Sequence, residues 1–187
     1  MPYQDLPEFF EGLEDKSGNS AKALTFLILT ACRSGEVLNA TWEEIDLENK
    51  TWTIPASRMK AGTEHRIPLT DKMIEILETV PRLNEYVFAG NRHGRPLSGM
   101  AMLTMLRKMG YSKDGDLPAY VPHGFRSSFR DWCEEQSSAP HGVIERALAH
   151  TIPNATERAY NRGDLFVKRR SLMESWGNYC ASSIAKN

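Results

Sequence analysis

The hydrophobic period of this chain changes twice, and those changes limit its architecture more than any single residue does. From Ser20 the apolar positions Leu24, Leu27, Ile28 and Ala31 follow i, i+3, i+4, i+7 spacing, which predicts a helix with Ser20 as its N-cap. Ser34-Gly35 interrupts it, and a short second helix is expected over Glu36 to Ala40. From Glu44 the period drops to two. Ile45 and Leu47 alternate with acids, Glu48-Asn49-Lys50 makes a turn, and Thr51 to Ile54 is β-branched and aromatic. A third extended run covers His65 to Leu69 after the polar stretch Met59 to Glu64. Helical spacing then returns in Met73, Ile76, Leu77 and Val80, and again in Met102, Met105, Leu106 and Met109 after a Ser98 cap. The remainder reads as helix broken at Pro118, Pro122, Pro140 and Pro153. The expected class is α+β, mostly α-helical, with one small three-stranded antiparallel sheet. It forms a single domain over 20–187, preceded by a tether over 1–19 with one short helical turn around Phe9 to Leu13.

Composition excludes several classes. With 187 residues, 41% hydrophobic and 25% charged, the chain can bury one core and is not disordered throughout. No apolar run reaches bilayer length, and the acidic N-terminus does not resemble a secretory signal. Cys32, Cys133 and Cys180 are odd in number and widely spaced, which reads as reduced intracellular thiols, with neither a disulfide framework nor a metal site. The net charge of -1 runs against a nucleic-acid partner, which usually calls for a basic surplus. Basic residues are nevertheless clustered: Arg92, His93 and Arg95 in one loop, Arg126 and Arg130 on one helix, and Arg158, Arg162, Lys168, Arg169 and Arg170 near the end.

The residues able to do chemistry each have an ordinary local explanation. His123-Gly124-Phe125-Arg126 follows Pro122, so a helix start is expected there, with His123 and Arg126 three apart near its N-terminus. Free N–H groups, the helix dipole and a planar guanidinium would suit a phosphate; a capping histidine beside a surface arginine would look the same. His150 ends a helix. Asn154 and Glu157 resemble a capping box for a following helix that carries Tyr160, read locally as a half-buried surface aromatic. Its phenol, with an ordinary pKa near 10, is a poor nucleophile without a group to take its proton. Arg33 closes an apolar helix, with Glu36 at the right separation to hold it. Lys60 sits in a polar connection between strands.

Taken together, these residues resemble the tyrosine recombinase (phage integrase) family, of the satellite-phage and genomic-island type. The flanking words carry the resemblance further: Leu29-Thr30-Ala31-Cys32-Arg33-Ser34-Gly35-Glu36, Trp42-Glu43-Glu44-Ile45, Arg58-Met59-Lys60 with His65-Arg66-Ile67-Pro68-Leu69, His123-Gly124-Phe125-Arg126, and Ala159-Tyr160-Asn161-Arg162. The resemblance implies a catalytic domain that breaks and rejoins DNA through a 3′-phosphotyrosyl intermediate, for integration or excision of a mobile element. It implies Tyr160 as nucleophile, Arg33 and Arg126 as phosphate clamps, and His150 as a further phosphate donor. Lys60 would protonate the leaving oxygen, His123 would assist proton removal from Tyr160, and Glu36 would support Arg33 or His123. Arg92, Arg95, Arg130 and Arg162 are expected DNA contacts. No cofactor or metal is implied. The implied partner is double-stranded attachment-site DNA, engaged by a homotetramer in the synaptic complex of the full-length protein, with the isolated domain monomeric and in the bacterial cytoplasm at the nucleoid. The family's core-binding and arm-binding domains have no counterpart here, so Met1 is expected to begin an excised catalytic domain. Competing readings are a non-catalytic DNA-binding module derived from an integrase, a type IB topoisomerase-like relaxing activity, and a generic helical interaction domain.

Overall fold

Every side of one helix is buried, and the rest of the chain is arranged around it. A computed structural model describes residues 1–113, 115, 117–150 and 163–182. Helix α2 (Asn19–Thr30) has Ala23, Leu24, Phe26, Leu27, Ile28 and Leu29 all fully buried. The expected stripe of Leu24, Leu27, Ile28 and Ala31 is therefore only part of its apolar surface. A helix apolar all round is a core helix, and α2 packs against α1 (Leu6–Glu14), α3 (Ser34–Leu38), α4 (Asp71–Thr79), α5 (Ala101–Lys108), α6 (Gly124–Gln136) and α8 (Phe166–Cys180). Its N-cap is Gly18 and not Ser20. The α3 helix starts at Ser34, two residues before its expected position, because Arg33 takes the extended N-cap conformation.

The opening segment is structured, contrary to the tether expected there. Its helix α1 buries Leu6, Phe9, Phe10 and Leu13, each no more than 2% exposed. Pro7 is tolerated because it stands in the first turn, where its missing N–H has no helical partner to lose. Tyr3 reaches across the fold and donates its hydroxyl to Glu135 Oε2 at 2.7 Å. Pro2 and Gly18 stand at element boundaries while Pro7 and Gly12 lie inside α1, and the apolar spacing at 6, 9, 10 and 13 is the stronger signal.

The sheet is the expected antiparallel meander of β1 (Ile45–Asp46), β2 (Thr51–Ile54) and β3 (His65–Pro68), in that order. Its register pairs Ile45 with Trp52, Trp52 with Ile67, and Ile54 with His65. Alternation puts Trp52, Ile54, Ile67 and His65 on the inner face, and Arg66 on the other. His65 is thus carried into the interior by strand geometry.

Helix α7 (His141–Ala147) and α8 close the far side. Trp176 of α8 is fully buried and donates its indole N–H to the Ile28 carbonyl of α2 at 2.8 Å. Its ring meets Phe129 and Trp132 at centroid distances of 5.3 and 5.2 Å. Leu172 and Trp176 therefore complete this chain's own core. Among the described residues no helix is long and apolar enough to cross a membrane.

Candidate active site

The site is organised by a buried arginine whose principal partners are backbone atoms. Arg126 lies on the inner face of α6 between the core residues Phe125 and Phe129, and is only 6% exposed. It donates from Nη1 to the carbonyl of Ala31, the cap residue of α2, and from Nη2 to the carbonyl of Leu148, the cap residue of α7, at 2.7 Å. Helix C-termini leave carbonyls without intrahelical donors and carry partial negative charge, so a cation suits both. One guanidinium thereby ties three helices together. Burial pulls it below the usual arginine value, opposed by Cys32 and Glu36 and reinforced by Arg33.

Nη2 of Arg126 also lies 3.3 Å from His150 Nε2. His150 is delivered there by the end of α7. The Ala149 N–H bonds the Arg146 carbonyl at 3.1 Å and the His150 N–H bonds the Glu145 carbonyl at 2.9 Å, the paired pattern of a Schellman ending. That motif needs a left-handed residue, and Ala149 supplies it at φ 50° without being glycine. Ala31, at the other carbonyl-bearing corner, is also left-handed, at φ 51°. Backbone strain of this kind, about 1–2 kcal/mol each, gathers on both sides of Arg126.

Arg33 approaches from α3. Its Nη1 pairs with Glu36 Oε1 at 2.8 Å, while its backbone N–H donates to Glu36 Oε2 at 2.8 Å. Glu36 is buried and Arg33 is half-exposed, so the carboxylate fixes the base of a guanidinium with an open outer edge. Cys32 beside them is pushed up to about 12, by burial first and then by Glu36, which leaves it a neutral thiol.

The β2–β3 connection carries Lys60, which is exposed. Its root is anchored by Arg58, which bonds both oxygens of Glu44 and donates from Nη2 to the Glu36 carbonyl at 2.7 Å. Glu44 also accepts the Trp52 indole N–H at 2.9 Å. The loop bearing Lys60 is thus tied, through Arg58, to the helix that holds Arg33. His123, at the N-cap of α6, is exposed and makes no side-chain capping bond.

Beside this cluster lies a cleft of about 380 Å³, whose described lining includes Met59, His65, Arg146, His150, Asp164 and Arg169. Arg169 is buried, donating to the carbonyls of Asp164 and Arg66 at 2.7 and 2.5 Å. Burial brings it down to about 10, with Asp164 opposing. Burial, and then Arg169, push His65 down to about 4, so this imidazole is neutral at physiological pH.

The structure thus brings Arg33, Glu36, Arg126 and His150 into one neighbourhood from three separate stretches of chain. The other predicted residues stand differently. Tyr160 and Arg162 lie outside the described residues. Arg92 and Arg95 are exposed on a tight hairpin closed by the Gly90 N–H to the Arg95 carbonyl at 2.9 Å. Gly90 is required there, since a Cβ would meet the Pro96 carbonyl oxygen at 2.4 Å. Arg130, expected to face DNA, is engaged by acids: Nε to Glu134 Oε1 at 2.9 Å and Nη2 to Glu145 Oε1 at 3.7 Å. Sequence reasoning missed Glu145, which lies 3.0 Å from His150 Nδ1, and the interior placement of His65. The available signals were the five-residue spacing of Glu145 and His150 at a helix end, and the alternation of β3.

A cluster of two arginines, a carboxylate-held histidine and a nearby loop lysine can bind and polarise a phosphate, and comparison with known proteins points the same way. The sequence matches the profile of the Phage integrase family over residues 2–165. It is 32% identical to prophage integrase IntZ of Escherichia coli (strain K12), with 100% of this chain and 46% of that protein covered. It is 31% identical to the integrase of Shigella phage Sf6, covering 98% and 48%. The chain spans about half the length of the curated relatives it matches. In structure it is similar to the integrase from mycobacterium phage Brujita, at TM-score 0.70 and 18% identity over 100% of this chain and 61% of that one. It is also similar to a lambda integrase(75-356) dimer bound to a COC' core site, at TM-score 0.58 and 21% identity, covering 81% and 57%. The fold is shared with both, and the sequence match, which takes in nearly all of the chain, makes it a member of the phage integrase family.

Proposed function

We propose that this chain is the catalytic domain of a site-specific tyrosine recombinase that cleaves and rejoins double-stranded DNA. The observation that carries the reading is the contact of Arg126 with His150, beside the Arg33–Glu36 pair. Two guanidiniums and an imidazole converge where non-bridging phosphate oxygens would be held. Three of the five N–H donors of Arg126 are engaged by described partners; among the described residues Nε and one Nη1 hydrogen have none.

In this mechanism the Tyr160 oxygen attacks phosphorus, giving a 3′-phosphotyrosyl bond and releasing the 5′ oxygen. Arg33 and Arg126 stabilise the charge of the pentacoordinate transition state. Lys60 protonates the 5′ oxygen as it departs, and His123 assists removal of the Tyr160 proton. Phosphodiester energy is kept in the covalent link, so rejoining by the reverse path needs no nucleotide. Arg92, Arg95, Arg130 and Arg162 contact the DNA, and the full-length protein acts as a tetramer on its attachment site at the nucleoid.

The test is a nicked suicide substrate carrying the attachment-site core, incubated with the domain joined to its core-binding partner. A covalent protein–DNA adduct is expected from the wild type and none from Tyr160→Phe. An adduct that persists in Tyr160→Phe would overturn the nucleophile assignment; tight binding without an adduct would favour the non-catalytic module.

A further inference from the structure

One buried carboxylate beside the site has no part in the chemistry described so far. Glu145, in α7, is 8% exposed, and its two oxygens have different neighbours. Oε2 lies 3.0 Å from His150 Nδ1. Oε1 makes no hydrogen bond among the described residues; Arg130 Nη2 of α6 stands 3.7 Å from it and His141 Nε2 stands 3.8 Å from it. The same residue holds His150 twice, because its backbone carbonyl also accepts the His150 N–H at 2.9 Å. The left-handed Ala149 folds the chain back so that both contacts form.

We propose that Glu145 is a positioning residue for the recombinase reaction: it fixes the tautomer and ring plane of His150, so that Nε2 is the atom presented to Arg126 and to the phosphate. The inference rests on the recombinase reading above. Hydrogen-bond chemistry supports it from two sides. A carboxylate only accepts, so the proton belongs on Nδ1; a guanidinium only donates, so Nε2 facing Arg126 is bare. Both neighbours select one tautomer. A proton taken up from solvent at Nε2 turns that atom into a donor and places it against the Arg126 donor. The His150–Arg126 contact must then open, which turns Nε2–H and an Nη2 hydrogen outward together. Glu145 compensates the imidazolium charge, with Arg126 and Arg130 on α6 and Arg146 and His141 on α7 as the other charged or titratable neighbours.

The experiment reads the tautomer directly, by nitrogen NMR of the histidine-labelled full chain at pH 8, with the His150 signal assigned through His150→Asn. Wild type is expected to show the Nδ1-protonated form. Glu145→Ala is expected to shift toward the Nε2-protonated form that free side chains prefer. Glu145→Gln, whose amide oxygen still accepts, is expected to keep the wild-type tautomer and guards against poor folding of the alanine variant. On the suicide substrate, Glu145→Ala should cleave about 10- to 100-fold more slowly, the scale seen when a carboxylate orienting a metal-ligating histidine is lost. DNA affinity should stay within about twofold, so that the loss falls on the chemical step. Glu145→Gln should recover most of the rate. An Nε2-protonated wild type, or an unchanged tautomer in Glu145→Ala, would overturn the proposal, and so would parallel loss of DNA binding in both variants. Failure of wild type to form any adduct would instead strike the recombinase reading and leave the tautomer result standing.

Discussion

Arg33 and Arg126 share one proposed task, yet their surroundings predict very different effects on folding. Replacing Arg126 by alanine strands the Ala31 and Leu148 carbonyls in the interior. Hydrogen bonds from a charged donor contribute about 1.5–3 kcal/mol each, so two of them set a scale of about 3–6 kcal/mol. Removing a buried charge returns part of that, because its desolvation cost disappears as well. We expect Arg126→Ala to lose about 3–4 kcal/mol. Arg126→Lys should lose about 2 kcal/mol, since an ammonium on a flexible stem cannot span two carbonyls as a planar fork does. Arg33→Ala removes one half-exposed ion pair and leaves Glu36 its bond from the Arg33 backbone N–H, so about 1 kcal/mol is expected. Urea unfolding separates the cases. With a slope of about 2 kcal/mol/M, the midpoint should fall by about 1.5–2 M for Arg126→Ala and about 0.5 M for Arg33→Ala, at unchanged slope. Equal midpoints for the two alanine variants, or an Arg126→Ala midpoint close to wild type, would refute the view that Arg126 clasps two helix ends.

Two further outcomes follow from the same corner of the fold. Ala149→Gly relieves a left-handed alanine at φ 50° and gives up a partly buried methyl, so a net stabilisation of about 0.5 kcal/mol is expected. Thermal unfolding should rise by about 1–2 °C, and a fall would show that the turn is not strained. His65 concerns pH. An unfolded imidazole titrates near 6.5 and the buried one near 4, so between those values the unfolded chain binds the extra proton. The associated stability is complete above pH 6.5, declines as pH falls, and is gone below about pH 4, at most about 3.5 kcal/mol in all. His65→Asn should flatten the unfolding free energy across that window relative to wild type; an unchanged slope would mean that His65 protonates in place.

What sequence alone determined was whatever leaves a mark within a few residues. The period-two run from Ile45 to Leu69 gave the meander, because alternation is forced by strand geometry, and the helical spacings gave α4 and α5. The Arg33–Glu36 pair was legible because both ends sit in one turn. Other features required the folded chain. The opening segment reads as a tether, and the folded chain shows that Leu6, Phe9, Phe10 and Leu13 belong to the core. That Arg130 is paired with Glu134 and stands near Glu145 is visible only in the folded chain. Glu145 itself is one of many acids, selected only by the turn at Ala149 that brings His150 over it. The role of Arg126 as a clasp had no sequence signal, since its principal partners are carbonyl oxygens, which every residue possesses. Side-chain identity can nominate the residues of a site; where a backbone carbonyl is the partner, only tertiary structure can say which one.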